Sequence, residues 1–441
     1  MKFALISLGC SKNLVDSENY IGILVNQKQL TLTDNVGEAD IVIINTCGFI
    51  DSAKKESIET ILEVAEYKKT NQVKKLIVTG CFAQRYKEDI LNEIEEVDAV
   101  IGTGEIDKIV NVVDDILSDK KVFNCESTGF LPDSNTDRIL TTPSHIAYIK
   151  IAEGCNRKCT YCIIPTLRGE LKSRKIEDIV NEATKLAKNG IKELNILAQE
   201  TTEYGHDIYG KPSLARLLKE LVKIDEIQWI RIHYIYPGSF DDELLALMKN
   251  EDKICNYFDI PIQHISSRLL QKMGRQTTGE YLKNLLNKIR ENVLNATIRT
   301  SLIVGFPGET EKEFNELKKF VKDFKFDYTG IFKYSREEDT IAYNMKDQIS
   351  EEIKERRWVE LLNLQRKIAE KNNKKYIGKK VSVIIDGVSS ESEYLLEGRM
   401  ENQAYDIDGR VLINDGTAKT GDVVTVLLEQ NFDYDFIGSI I

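Results

Sequence analysis

Short apolar runs alternate with amphipathic helical patterns through the first third of the chain. The predicted strands cover residues 3–8, 41–44, 76–79 and 99–101, and the predicted helices cover about 15–26 and 52–69. Strands that alternate with helices form parallel sheets, because each helix carries the chain back to the same edge. The pattern therefore predicts an N-terminal doubly wound parallel sheet.

The same alternation resumes after a polar stretch, residues 126–143, whose Thr, Asp, Ser, Asn, Gly and Pro content is typical of a linker. Six further strands are predicted at 145–151, 194–198, 229–234, 257–262, 298–304 and 328–334. Helical patterns separate them, for instance at 176–188, 213–223, 279–291 and 311–323. Six such units predict a partial (β/α)6 barrel, with functional residues at the carboxyl ends of its strands.

The pattern changes again near the C-terminus. A highly charged helical segment, 350–374, is predicted to be a connector. Short strands separated by Asp-Gly and Thr-Gly turns follow at 381–385, 394–398, 404–407, 411–413, 423–428 and 435–440. They predict a small antiparallel β-barrel. The chain is thus a multidomain α/β protein, with domains expected at 1–120, 141–373 and 374–441 and a linker at 121–140.

Composition sets limits on the class of protein. The chain has 441 residues, of which 42% are hydrophobic and 30% charged, as in ordinary globular proteins. No signal-peptide pattern or apolar run of about 20 residues is present, so a cytoplasmic protein without a membrane partner is expected. In a reducing compartment, the eight cysteines indicate metal or catalytic sites. The net charge of −11 disfavours a general nucleic-acid binder and allows a basic partner.

The most specific chemical signal is a Cys-x3-Cys-x2-Cys run formed by Cys155, Cys159 and Cys162. Three thiolates at this spacing can hold three corners of a cubic [4Fe–4S] cluster and leave the fourth iron open for chemistry. Zinc, or a purely structural role, is the alternative. Zinc prefers four ligands, usually as two Cys-x2-Cys pairs, and no second pair follows here.

Three more cysteines occupy equivalent positions in the predicted N-terminal sheet. Cys10, Cys47 and Cys81 each follow one of its first three strands, and those strand ends share one edge of a parallel sheet. This repetition favours a second three-cysteine cluster, whereas buried inert cysteines are the alternative. Cys125 and Cys255 lack this placement and are predicted to be structural.

Taken together, these features resemble the radical S-adenosylmethionine (SAM) methylthiotransferases, which combine a cluster domain, a radical SAM core and a C-terminal TRAM domain. Several stretches are similar to the branch that modifies an aspartate of small-subunit ribosomal protein twelve: Ser7–Glu18, Lys150–Cys155, Ala198–Gly205, Met273–Gln276 and Tyr405–Gly409. Ser11 departs from the family, which more often has proline there. The resemblance covers essentially the whole chain.

The resemblance implies an enzyme with two [4Fe–4S] clusters and SAM as a substrate. Cys155, Cys159 and Cys162 would hold the cluster that reduces SAM, and Cys10, Cys47 and Cys81 would hold an auxiliary cluster that presents a methylated sulfur. The product would carry a methylthio group at the β-carbon of the target aspartate. A reductant such as flavodoxin or ferredoxin, a sulfur donor and a monomeric state are also expected.

Residues near strand ends are the candidates for a SAM pocket under this resemblance. They are Gln199, Arg299, Ser301, Gly305 and Glu309. The alternative for the last two is a simple strand-to-helix turn. Arg168 and Arg174 follow the cysteine loop and would contact substrate or SAM, or else form surface salt bridges.

The charge of the predicted final barrel helps to separate protein from RNA substrates. Residues 376–441 contain five Lys and Arg against twelve Asp and Glu, a net charge of −7. A barrel that holds tRNA should be basic, whereas an acidic one suits a basic ribosomal protein, unless its acids form only a solvated surface. The alternatives are a tRNA adenosine (C2) methylthiotransferase and a non-catalytic iron–sulfur electron-transfer or scaffold protein.

Overall fold

In the computed structural model, which describes all 441 residues, the N-terminal domain is a sheet of six parallel strands with flanking helices. The strands are β1 Lys2–Ser7, β2 Thr31–Leu32, β3 Ile41–Thr46, β4 Lys75–Gly80, β5 Ala99–Ile101 and β6 Val122–Asn124. The helices are α1 Ser11–Lys28, α2 Asp51–Lys69, α3 Cys81–Tyr86, α4 Glu88–Glu93 and α5 Ile109–Leu117. The spatial order β2-β1-β3-β4-β5-β6 reverses between β1 and β3, and such switch points are where doubly wound sheets bind ligands.

The predicted doubly wound sheet is confirmed, and its central strand β3 is buried on both faces, as the unbroken apolar run Ile41–Ile44 requires. The sheet extends beyond residue 120, however. Strand β6 pairs in parallel with β5, although the sequence analysis placed it in the linker. Its three half-buried residues are too few to show a strand period.

The central domain contains six strands of a partial barrel and one short hairpin. The strands are β7 Ile146–Lys150, β8 Ala152–Glu153, β9 Lys172–Ser173, β10 Glu193–Leu197, β11 Trp229–Ile232, β12 Tyr257–Asp259, β13 Thr297–Val304 and β14 Tyr328–Lys333. The parallel sheets β7-β10-β11 and β12-β13-β14 meet at a parallel bridge between Ile230 and Ile254. The predicted partial barrel is therefore confirmed, and the antiparallel pair β8–β9 flanks the cysteine loop.

Helices cover the outside of this barrel. They are α6 Ile164–Arg168, α7 Ile176–Lys188, α8 His206–Tyr209, α9 Leu214–Leu221, α10 Asp242–Asn250, α11 Ser267–Lys272, α12 Gly279–Asn292, α13 Glu311–Phe324 and α14 Glu351–Asn373. The charged segment predicted as a connector is α14, which packs on the barrel. Its buried Leu361 joins the core, and the Trp358 indole N–H donates to the carbonyl oxygen of Ile331 at 2.8 Å. No helix of the protein is both long and apolar enough to cross a membrane.

Five strands close the C-terminal barrel in the order β15-β16-β17-β19-β18. They are β15 Lys380–Val388, β16 Leu396–Arg399, β17 Val411–Asp415, β18 Val423–Phe432 and β19 Asp435–Ile440. The predicted small barrel is confirmed, although β17 and β19 pair in parallel and the barrel is therefore not antiparallel throughout. The strand predicted at 404–407 is wrong. That segment is a turn, in which the Ala404 N–H donates to the Asp408 carboxylate at 3.0 Å. Asp408 also accepts a hydrogen bond from the Tyr257 hydroxyl at 2.6 Å, so the turn joins the barrel to the core.

Buried ion pairs hold the C-terminal barrel on the amino ends of the core strands. Glu193 binds Arg231 of the core at 3.0 Å and Arg399 of the C-terminal barrel at 2.7 Å. His145 lies 2.9 Å from Asp386 beside them. The opposite, carboxyl ends of the core strands are therefore left for the N-terminal domain and the cysteine loop.

Candidate functional site

The loop between β8 and α6 carries Cys155, Cys159 and Cys162. It begins at Gly154, whose φ of 78° lies in the left-handed region that favours glycine. The Cys155 N–H donates to the Gly169 carbonyl at 3.0 Å, and the Thr160 N–H donates to the Met273 carbonyl at 2.9 Å. These backbone bonds hold the loop at both ends, so the three half-buried thiols face a fixed site.

Neighbouring thiols in this loop raise the pKa of Cys155 and of Cys162. Burial raises the pKa of Cys162 to about 12, and the negative charges of Cys159 and Cys155 add to the effect. Burial likewise raises the pKa of Cys155 to about 11. Iron binds thiolates, so cluster binding would remove these protons and relieve the repulsion. The donor set fits a cluster.

The structure also brings Cys10, Cys47 and Cys81 together. Cys10 precedes the first turn of α1, Cys47 follows β3, and Cys81 opens α3 directly after β4. Burial raises the pKa of Cys47 to about 12, and the nearby Cys81 and Cys10 thiols contribute. Cys10 is exposed, unlike Cys81. The protein around its thiol acts to raise its pKa, but Lys12, Arg168 and two backbone N–H groups favour the thiolate and lower the pKa overall. These neighbours place the three thiols in one site at the β1/β3 switch point.

Side-chain spacing distinguishes a cluster from a single ion. No group of three or more His, Cys, Asp or Glu side chains is placed to hold one metal ion. Each thiolate of a [4Fe–4S] cluster binds a different iron, so its ligands stand further apart than the ligands of one zinc ion. As placed, the thiols would have to move closer together to bind one zinc ion.

Arg168 connects the two cysteine groups. Its Nε lies 3.3 Å from Cys81 Sγ, and its Nη1 lies 2.7 Å from Asp16 and 3.3 Å from Glu153. The prediction of a surface salt bridge is wrong for this residue, which is only 2% exposed. Arg174 is buried as well, and away from the thiols it forms ion pairs with Asp178 at 2.7 Å and Glu182 at 2.5 Å.

A buried network continues from Arg168 to the cysteine loop. The Lys150 ammonium binds Asp16 and lies 2.6 Å from Glu153, which precedes Cys155 by two residues. The network thus runs from one group of thiols to the other through charged side chains of two domains. No role for Asp16, Lys150 or Glu153 was predicted from the sequence. The sequence pattern that could have identified Lys150 and Glu153 is that these two charged residues flank a short apolar run.

Among the predicted SAM-pocket residues, Gln199 lies next to this network. Its amide nitrogen donates to the Glu153 carboxylate, which can only accept hydrogen bonds. That contact fixes the amide orientation and leaves the oxygen of Gln199 buried without a partner. An ammonium or hydroxyl group of a bound molecule would satisfy it.

The other four predicted pocket residues lie on or just after β13. Glu309 accepts hydrogen bonds from the Gly305 N–H, from Arg357 at 2.7 Å and from His264 at 3.2 Å, so it fixes the turn after β13. Arg299 binds Asp259 at 2.9 Å and lies 3.5 Å from Asp408 of the C-terminal barrel. Ser301 is half-buried on the same face of β13 as Arg299. No hydrogen bond or ion pair joins these four residues to the cysteine loop, and their role in binding SAM stays a prediction.

Three family models match successive parts of the chain. Residues 2–102 match the Uncharacterized protein family UPF0004, residues 149–321 match the Radical SAM superfamily, and residues 377–441 match the TRAM domain. The three matches follow the three domains of the fold.

Curated relatives match the chain from end to end. The ribosomal protein uS12 methylthiotransferase RimO of Clostridioides difficile is 48% identical over 442 residues, covering 100% of this chain and 99% of its own length. The RimO protein of Myxococcus xanthus is 46% identical and covers 99% of this chain and 91% of its own length.

A solved structure supports the fold at much lower identity. The radical S-adenosylmethionine methyltransferase TsrM of Kitasatospora setae superposes with a TM-score of 0.54 at 13% identity. The superposition covers 75% of this chain and 72% of the other. At this identity the likeness concerns the fold alone.

Proposed function

The chain belongs to the RimO family of ribosomal protein uS12 methylthiotransferases, and we propose that it places a methylthio group on the β-carbon of an aspartate in that ribosomal protein. The observation that carries the proposal is the pair of three-cysteine groups joined by Arg168 and Glu153. Transfer of sulfur to an unactivated carbon needs one site that generates reactivity and another that supplies the sulfur. Two linked metal sites provide both.

The loop cysteines Cys155, Cys159 and Cys162 would hold a [4Fe–4S] cluster with one open iron. When bound, this cluster and SAM supply the radical chemistry that acid–base side chains cannot supply. The protein contributes by positioning the thiols and SAM. Gly154 and the backbone bonds of the loop fix the thiols, and the unpartnered oxygen of Gln199 offers a hydrogen-bond acceptor to SAM.

Cys10, Cys47 and Cys81 would hold a second [4Fe–4S] cluster, for a total of about eight irons per chain. Asn13 supports this site, because its amide nitrogen donates to the carbonyls of Leu8 and Thr46, both at 3.0 Å. Those bonds tie the start of α1 to the ends of β1 and β3. The side-chain N–H of Arg168 at Cys81 would favour the thiolate that iron requires.

The C-terminal barrel would meet the protein substrate. Its buried acids Asp386 and Asp408 contact His145 and Tyr257 of the core. Other acids stay exposed, among them Glu393, Asp415, Asp422 and Glu429. An acidic outer surface complements a basic ribosomal protein or the ribosome that contains it. We further propose that the protein works in the cytoplasm as a monomer, with a flavodoxin- or ferredoxin-like reductant and a separate sulfur donor.

The test is an anaerobic assay of the reconstituted protein with SAM, reductant and either uS12 or tRNA. Mass spectrometry should find a methylthio group on an aspartate of uS12 and no change in tRNA. Modification of tRNA alone would refute the proposal and favour the adenosine methylthiotransferase. Absence of 5′-deoxyadenosine would favour a non-catalytic iron–sulfur protein.

Iron and sulfide analysis tests the number of clusters separately. The wild-type chain should hold about eight irons, and Cys155→Ala and Cys47→Ala should each hold about four, because each variant loses one cluster. A Cys47→Ala protein that keeps all its iron would refute the second cluster. Cys125→Ala is the matched control, since Cys125 is a buried cysteine outside both groups.

A further inference from the structure

Lys12 places a cation between the two domains that carry the thiols. It lies in the first turn of α1, two residues after Cys10, and is only 8% exposed. Its Nζ lies 3.5 Å from the centroid of the Tyr234 ring, which follows the core strand β11. The Tyr234 N–H donates to Asp259 at 3.0 Å, so the ring is held by the core. Lys12 therefore reaches from the N-terminal domain to the carboxyl ends of the core strands.

Unlike Lys150, Arg157 and Arg168, Lys12 forms no ion pair with a carboxylate. Lys150 binds Asp16 and Glu153, and Arg168 binds the same two carboxylates. Arg157 binds Glu200 and Glu203, both at 2.6 Å. The carboxylates of Asp16, Glu153, Glu200 and Glu203 are therefore already paired with other cations. The ammonium of Lys12 contacts the ring of Tyr234, and the nearby Cys10 thiol and Glu153 also favour its charge.

Once iron binds the Cys10 thiolate, Lys12 has no carboxylate partner of its own, and a ligand that carries a carboxylate can supply one. The target of the proposed function has such a charge. The reacting β-carbon of an aspartate is bonded directly to the side-chain carboxylate. An ammonium that binds this carboxylate would hold the carbon near Cys10 and Glu153, the groups that also influence Lys12.

We propose that Lys12 binds the side-chain carboxylate of the substrate residue and thereby selects an acidic residue as the target. The proposal rests on the proposed function and adds a specificity-determining residue to it. Ammonium–carboxylate hydrogen bonds are among the stronger polar contacts in a site shielded from water. A target residue with a neutral amide would leave Lys12 unpaired, so discrimination between aspartate and asparagine should depend on this side chain.

The experiment measures kinetics of reconstituted enzyme with uS12 that carries either aspartate or asparagine at the modified position. Lys12→Gln should raise the KM for the aspartate substrate by roughly 10- to 100-fold, the loss expected for one charge-assisted hydrogen bond. It should also abolish the preference for aspartate over asparagine. Lys12→Arg keeps the charge and should retain most of the preference. Lys28→Gln is the control. Lys28 lies half-buried at the far end of the same helix, so this variant should keep the wild-type KM and preference.

Iron content is measured for each variant, because Lys12 also lies near Cys10. A Lys12→Gln protein with full iron content, raised KM and no aspartate preference supports the proposal. Full iron content with wild-type KM and preference would overturn it and leave the proposed function standing. Loss of about half the iron would overturn it too, since Lys12 would then serve the cysteine site. A wild-type enzyme that does not modify uS12 would refute the proposed function itself, and the role of Lys12 with it.

Discussion

The Nε atom of Arg168 lies 3.3 Å from the Sγ atom of Cys81, although the two residues belong to different domains. Arg168 ends helix α6 in the core, whereas Cys81 begins helix α3 after the N-terminal sheet. The same guanidinium binds Asp16, also from the N-terminal domain. One side chain thus fixes the position of the core relative to the second group of thiols.

Replacement of Arg168 by methionine should therefore remove iron selectively from the second site. Asp16 would lose one of its two cationic partners, and Cys81 would lose its N–H donor. Breaking such a buried pair costs about 3–5 kcal/mol of folding free energy. We expect a lower melting temperature and loss of about four of about eight irons in Arg168→Met.

Arg174→Met is the matched control for this prediction. Arg174 is also buried and paired with carboxylates, but it contacts no cysteine. Its loss should lower stability and leave the iron content unchanged. Equal iron contents in the two variants would show that Arg168 acts only through general stability.

Gly9 should be essential for the second site because of its position against Cys47. Its φ is 89°, and a Cβ at this position would lie 2.8 Å from the Cβ of Cys47. Gly9→Ala should displace Cys47 or Cys10 and lower the iron content from about eight to about four. Gly190→Ala provides the control, because Gly190 has a φ of 98° and a methyl group there would meet no atom within 4 Å. Gly190→Ala has the same kind of backbone strain as Gly9→Ala but no steric clash, so this variant should keep about eight irons.

The sequence predicted most of the longer strands and helices of the three domains because their apolar runs are long and their burial is regular. Strand β3 and helix α7 are examples, and α7 has the predicted bounds Ile176–Lys188. The failures have local causes. Strand β6 has only three half-buried residues, and the supposed strand at 404–407 is a turn fixed by Asp408.

The candidate site was predictable only as far as its cysteines. Their identity and spacing carry the chemical signal within short stretches of sequence. The network that joins them pairs Asp16 with Lys150 and Arg168, which are more than 130 residues away in the chain. Charged residues at such separations give no periodic signal, so their pairing emerges only from the packing of two domains.

Gln199 should contribute to SAM binding through its unpartnered oxygen. In Gln199→Leu the acceptor is lost while the side chain keeps a similar volume, and the dissociation constant for SAM should rise by roughly 10-fold. Equilibrium dialysis of the reconstituted protein with labelled SAM measures this change. Gln271→Leu, on helix α11, serves as the control. An unchanged dissociation constant in Gln199→Leu would place this side chain outside the SAM pocket.

Glu193 should make the attachment of the C-terminal barrel depend on pH. Burial alone would raise the pKa of this carboxyl, but Arg399 and Arg231 outweigh burial and lower it from 4.5 to about 2. A carboxyl whose pKa is lower in the folded state stabilises that state fully above its unfolded pKa. The stabilisation is then lost progressively as the pH falls from about 4.5 towards 2.

Urea unfolding between about pH 3.5 and 7 tests this, because the range includes the upper part of the interval in which the stabilisation is lost. Metal-free protein is used because acid destroys iron–sulfur clusters. Glu193→Gln should be less stable than wild type by ~3 kcal/mol above about pH 5, and the difference should shrink as the pH falls. Glu243→Gln is the control, since Glu243 forms an exposed pair with Lys219 and should change stability little. A Glu193→Gln difference that stays constant down to about pH 3.5 would show that the loss comes from packing and not from the carboxylate charge.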